Sequence, residues 1–271
     1  MVSRVLTRLT THVRDAQVKR FAELVARESP PLDLACLAIA AGADPRLDEA
    51  RWLAELDRLA DGVRDVDSLV DRLFVREGFT GNARRYDDPR NSLLHTVLAR
   101  RTGIPITLAV VCLEVGRRAG VALEGVGMPG HFLVRAAGSG ELLDPFGGGA
   151  RVDLDGAERL FRAATGAGLE VQFGPDLLAA TPVPAILARV LQNLRVLYRR
   201  RGQAVELAWV LGMRLALPGV TATDVAELGA ALGRSGAWRA GAQLLEARAG
   251  DFPREADALR YAARSLLANL N

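Results

Sequence analysis

The chain has 271 residues, 49% hydrophobic and 25% charged, the balance of a folded globular protein rather than a disordered or fibrous one. Thirty-five basic residues against 32 interspersed acidic ones leave a formal charge of +3, and aromatic residues make up only 5%, so no nucleic-acid partner is expected. The two cysteines, Cys36 and Cys112, lie inside apolar runs and read as buried free thiols, not as a disulfide framework.

The N-terminal "MVSRVLTRLTTHVRDAQVKR" has no apolar segment ahead of a small-residue cleavage site. No apolar run approaches the ~20 residues needed to span a bilayer. A cytoplasmic location without a membrane partner is expected. Residues 14–78 read as helices. "DAQVKRFAELVARE" places Val18, Phe21, Leu24 and Val25 at helical spacing. "PPLDLACLAIAAGADP" opens on prolines and stops at Gly42, with Pro45 beyond. "LDEARWLAELDRLADGV" and "DVDSLVDRLFVREGF" are amphipathic, the second with Asp65 or Asp67 as cap.

From Phe79 the pattern changes. "FTGNARRYDDPRNS" is a turn-rich loop, and "NSLLHTVLARRTG" a helix capped near Asn91 or Ser92 and ended by Gly103. His95 reads as packed or half-exposed on that helix. "IPITLAVVCLEVGRRAG" is the next helix, ending at Gly120. "VALEGVGM", "HFLVRA" and "ELLDPF" have strand character, and the "GSG" between the last two signals a hairpin. Arg100, Arg101, Arg117 and Arg118 end two helices, where cations complement the dipole. They read as a solvated face, with Arg117 and Arg118 able to reach an anionic partner.

Residues 152–180 hold a helix around "DGAERLFRAATG" and a loop through "FGPDLLAATPVP". From Pro184 the chain is helical and repeats. Leu194, Tyr198, Gly202 and Ala208 recur 34 residues later as Leu228, Leu232, Gly236 and Ala242. A helix–turn–helix period of about 34 residues, with glycine at the turn and a small residue at the interhelix contact, is the tetratricopeptide pattern. "READALRYAARSLL" would close the stack.

The chemistry concentrates in "GMPGHFLVRAAGSGELLDPFGGGA". Two-residue turns at Ala137-Gly138 or Gly138-Ser139 both put His131 and Asp144 on one face of a hairpin, within contact range. A carboxylate beside an imidazole fixes its tautomer and raises its basicity, the base-plus-orienter arrangement of enzymes with a cysteine or serine nucleophile. The plainer alternative is a surface histidine or a satisfied core one. The preceding helix start, where the dipole favours an anion, is the place for a nucleophile and falls near Ile106 or Thr107. Thr107 also reads as an ordinary helix cap, and so does Ser92. The "FGGGA" run lacks the Lys and Ser/Thr of a phosphate loop, and its glycines read as allowing positive φ and close backbone approach beside Asp144. No HExxH or paired CxxC is present, so neither metal nor cofactor is expected.

"YDDPRNSLLHTVLARRTGIPITLAVVCLEVGRRAGVALEGVGMPGHFLVR" followed by "LLDPFGGG" resembles the SirB1 family of bacterial proteins, strongly over residues 79–152 and more loosely over the N-terminal helices and "ILARVLQNLRVLYRRRG". The resemblance implies a transglutaminase-like core followed by tetratricopeptide-like repeats. His131 then matches the transglutaminase-type histidine and Asp144 the aspartate. The cysteine does not carry over. Thr107 stands at its position, and Cys112 lies about 1.4 helical turns further on a different face.

The expected fold is α+β and mostly helical, a transglutaminase-like (papain-like) core with a small antiparallel sheet and helical repeats after it. Residues 1–78 form the N-terminal helical part of the core, 79–180 the transglutaminase-like core, and 184–271 the repeat region. The expected function is a non-catalytic or weakly active module binding a protein or peptide. The alternative is a hydrolase or acyl transferase (peptidase- or amidase-like) with Thr107 as nucleophile, His131 as base and Asp144 orienting it.

Overall fold

A computed structural model describes residues 2–168 and 170–269, with side chains from residue 14 onward. Residues 1 and 270–271, the outer limits of the first and last expected regions, and residue 169 within the core lie outside the described residues. The chain divides into two compact units, one of Leu32–Ala40 and Leu47–Val190, the other of Met1–Pro31, Ala41–Arg46 and Leu191–Asn271.

In the first unit, α3 (Glu49–Ala60) follows the N-cap Asp48, which accepts from Arg51 N, and buries Leu56 and Leu59. Asp65, and not Asp67, caps α4 (Val66–Val70) in a reciprocal box with Ser68. The next turn, Asp71–Arg76, is π-helical. A 3.6-residue count has no signature for that extra residue. Strand β1 (Thr80–Gly81) pairs in parallel with β2 (Thr102–Gly103) on either side of α5 (Leu94–Arg100).

The expected cap of α5 is corrected. Asn91 and Ser92 lie in a 3₁₀ turn, Pro89–Ser92, capped by Asp88, and α5 begins after Leu93 with no side-chain cap. Asn91 is spent on the loop before it. Its Nδ2 donates to Arg85 O (2.7 Å), and its Oδ1 accepts from Asn82 Nδ2 (3.0 Å). Arg101, rather than Gly103, takes the left-handed position after α5, at φ 55°.

Helix α6 (Pro105–Ala119) starts on proline and ends at Gly120 with φ 75°, as expected. It is apolar nearly all round, with Ile106, Leu108, Val110, Val111, Cys112 and Val115 buried, which makes it the central helix of this unit. The sheet runs in the antiparallel order β3 (Leu123–Val126), β4 (Leu133–Ala136), β5 (Leu142–Asp144), β6 (Ala150–Val152). The pairing Val134↔Leu143 is the register of a turn centred on Gly138-Ser139, although the loop widens to Ala137–Gly140. The short, largely exposed β6 directly after the glycine run has no counterpart in the sequence reading. Helix α7 (Leu154–Thr165) lays Ala157 and Phe161 against Val126, Met128, Leu133 and Leu142. A 3₁₀ turn, Pro175–Leu178, follows.

The second unit contains α1 (Val2–Val25) and, after α8 (Val183–Arg200), the helices α9 (Ala204–Arg214), α10 (Ala222–Arg234), α11 (Trp238–Ala249) and α12 (Ala256–Ala268). The unit boundaries fall within α8 and within α2 (Leu32–Ala43). Gly202 and Gly236, the turn glycines of the 34-residue repeat, both have positive φ (64° and 85°). A Cβ on Gly229 would lie 2.7 Å from Leu245 Cγ, so the glycine sets how closely α10 and α11 approach. Val225, Ala242, Leu245, Leu259 and Ala263 form the core beneath them.

Candidate functional site around His131 and Asp144

His131 stands just before β4 and Asp144 ends β5. The approach to His131 is a tight turn in which His131 N donates to Met128 O (3.3 Å). Gly130 sits there at φ 75°, where a Cβ would lie 2.6 Å from Ala164 Cβ. Both site residues are buried (7% and 6% exposed), and His131 Nε2 meets Asp144 Oδ1 at 2.8 Å. The carboxylate also accepts from Phe146 N (3.0 Å). A Cβ on Gly147 would lie 2.7 Å from Asp144 Oδ2, so only glycine lets the "DPFGGG" turn fold this closely over the acid. With the Nε2 proton given to Asp144, Nδ1 carries the free lone pair of the neutral ring, a tautomer assigned from this bond. Nδ1 has no hydrogen-bond partner among the described residues.

Aromatic rings wall the imidazole. Phe146 presents its edge to His131 (6.1 Å, 88°) and meets Tyr86 at 6.1 Å. Gly81 of β1 backs Phe146, where a Cβ would lie 2.6 Å from its ring. From α8, Arg189 Nη2 donates to His131 O (2.8 Å), and its guanidinium lies over the Phe132 ring (5.3 Å).

Thr107 is placed differently. It is 2% exposed and occupies the third position of α6, not the cap. Its Oγ1 donates to Asn91 O (2.6 Å) and accepts from Ile104 N (3.2 Å). A hydroxyl has one proton, and here a backbone carbonyl takes it. No hydrogen bond joins Thr107 to His131 among the described residues. Cys112 is buried within α6, its thiol pushed up by burial, and Cys36 is likewise a buried free thiol. Ser92 is buried with its Oγ unpartnered among the described residues, and His95 packs edge-on to Trp52 (6.0 Å).

The family model described as the transglutaminase-like superfamily matches residues 16–192. The chain belongs to that superfamily. A UPF0162 protein of Pseudomonas aeruginosa is 38% identical over 194 residues, covering 67% of this chain and 70% of its own. One from Xylella fastidiosa (strain 9a5c) is 42% identical over 129 residues, 46% of each chain. Human F-box only protein 21 is 31% identical over 164 residues, 57% of this chain and 24% of its own. The chain thus spans about half the length of the Xylella relatives it matches. No solved structure matches.

In this transglutaminase-like chain the helix-end arginines are all ion-paired, and of the four only Arg117 remains exposed as a solvated face would be. Arg118 pairs with Asp33 (2.7 Å), Asp57 (2.7 Å) and Glu114 (2.6 Å), and Arg117 with Asp33 and Glu114. Burial, reinforced by Asp33, pushes the Glu114 carboxyl up, and the two arginines oppose that. Arg101 pairs with Glu55 and Glu77 and lies over Phe79, and Arg100 faces Asp88. No group of three His, Cys, Asp or Glu residues among the described residues could hold a metal ion, and no helix there is long and apolar enough to cross a membrane. Sequence reasoning missed Tyr86, Phe146 and Arg189. The glycines of "FGGGA" do what was expected of them beside Asp144, Gly147 by its close approach to the carboxylate and Gly148 and Gly149 by positive φ. Phe146 had a local signal, being two residues from Asp144. Tyr86 and Arg189 had none, because they reach the site from distant segments.

Proposed function

We propose that this transglutaminase-like protein, of the SirB1 type, binds a protein or peptide in the cytoplasm and is catalytically silent or weakly active. The Thr107 hydroxyl carries the reading. The resemblance puts the nucleophile at this residue, yet Thr107 is buried and closes the start of α6 onto Asn91 O. A general base needs the nucleophile's proton within about 2.6–3.2 Å or one water away, although apo sites are often looser. The glycine-turned helix pairs after Leu191 support a second contribution, a tetratricopeptide-like surface for an extended partner.

The test is to incubate the full chain with casein and with small amide substrates, beside His131→Ala and Thr107→Val. Background turnover in all three is expected. Turnover abolished by both substitutions would instead establish the hydrolase or acyl-transferase reading. The open Nδ1 of His131, already oriented through Nε2 by Asp144, is the observation that keeps that alternative.

A further inference from the structure

The partly buried arginines of this chain follow one rule, and Arg189 breaks it. Arg118 is met by Asp33, Asp57 and Glu114, Arg195 by Asp224 and Glu227, and Arg101 by Glu55 and Glu77. Arg189 is also partly buried but pairs with no carboxylate among the described residues. Its one hydrogen bond to protein goes to a backbone carbonyl, His131 O. A neutral donor would satisfy that carbonyl, so the bond does not account for the charge. Burial pulls the Arg189 pKa down from the ordinary arginine value, and the one ionisable group opposing this is Tyr86. A desolvated, unneutralised guanidinium is a standing cost unless an anion arrives.

We propose that Arg189 is the anchor of a ligand subsite beside His131, and that it takes a carboxylate of the bound peptide. With one Nη2 hydrogen given to His131 O, one edge of the planar fork remains for two parallel N–H···O bonds, the geometry a carboxylate matches. The Phe132 ring lies under the guanidinium and is itself buried, so it holds Arg189 in place. Exposed Tyr86 and half-buried Phe146 stack edge to face beside His131 and offer surface to the apolar carbons next to such a carboxylate. Tyr86 feels the positive charge of Arg189 and the negative charge of Asp87, and the nearby anion favours a monoanion over a phosphate dianion. The proposal rests on the peptide-binding reading above.

The experiment titrates the full chain with four probes, followed by NMR at the His131 imidazole and the Arg189 guanidinium. One is an acetylated, amidated peptide of glycine, serine and phenylalanine ending in glutamate. The second ends in glutamine. The third ends in alanine with a free C-terminal carboxylate. The fourth is inorganic phosphate. Saturable shifts with the carboxylate peptides, about tenfold weaker with the glutamine peptide and with Arg189→Gln, are expected. The glutamate and free-terminus arms separate a side-chain carboxylate from a terminal one. Arg189→Lys, which keeps charge but loses the fork, should fall between, so the proposal stays testable if the glutamine variant misfolds. Equal binding of glutamate and glutamine peptides, or binding unchanged in Arg189→Gln, would overturn the subsite and leave peptide binding standing. Phosphate binding more tightly than either carboxylate, or no carboxylate response at all, would also overturn it.

Discussion

The start of α6 and the β4–β5 hairpin both bury polar side chains, and they complete them differently. At α6, Thr107 gives its proton to Asn91 O and accepts from Ile104 N, so the hydroxyl is closed by local backbone. At the hairpin, His131 is fixed through one ring nitrogen while the other makes no hydrogen bond among the described residues. Asp144 holds His131 and the Phe146 amide with one oxygen. A polar group satisfied by backbone on every side is a structural part, whereas one oriented on one side and open on the other is poised for something outside the fold.

The strongest way to sharpen that contrast is Asn91→Ala. It removes a fully buried side chain that ties the 82–91 loop together, and a loss of about 3 kcal/mol in urea unfolding is expected. The His131 imidazole signals should stay put, and a large shift there would erase the distinction between the two regions. Next in size is Thr107→Val, with an expected loss of about 1–2 kcal/mol from the stranded Asn91 carbonyl. Thr107→Cys should alkylate slowly with iodoacetamide. Fast labelling that is suppressed by His131→Ala would mean the position does face the imidazole. The smallest expected effect lies away from both regions, in the Arg58–Glu55–Arg101 cluster. Hydrogen bonds from Arg58, and then Arg101, hold the Glu55 carboxyl down at about 2. Because the folded value is depressed, this stabilisation is complete above the unfolded value near 4.5 and is lost as pH falls towards 2. After allowing for solvent screening, Glu55→Gln should cost about 1 kcal/mol at pH 7 and nothing near pH 2. If the wild-type acid slope survived in that variant, acid sensitivity would have to be sought elsewhere, the hairpin included.

Much of the frame was legible because it is written locally. Gly120 after α6, Asp65 before α4 and the "GSG" loop between strands each report a backbone need at the residue itself. The side-by-side placement of His131 and Asp144 followed from pleat alternation alone. What escaped notice depends on distant partners. Asn91 looked like a cap and instead bonds Arg85 O and Asn82. Arg118 looked solvated, yet its carboxylates come from as far away as Asp33. Arg189 reaches His131 across 58 residues. Helical periodicity records that such residues sit on a helix and says nothing of what meets them.

Arg101 is the one non-glycine residue among the described residues with positive φ, a conformation that costs about 1 kcal/mol or more outside glycine. Its side chain reaches Glu55 and Glu77, 46 and 24 residues away, and stacks on Phe79. Glycine would relieve the backbone and forfeit all three contacts. The compensation exists only once α3 and the segment ending α4's π-turn have docked. The bend joining α5 to α6 is therefore expected to be set late in folding, with a φ-value near zero for Arg101→Gln, while the helices on either side form early. A high value there would mean that the turn itself helps to nucleate the core.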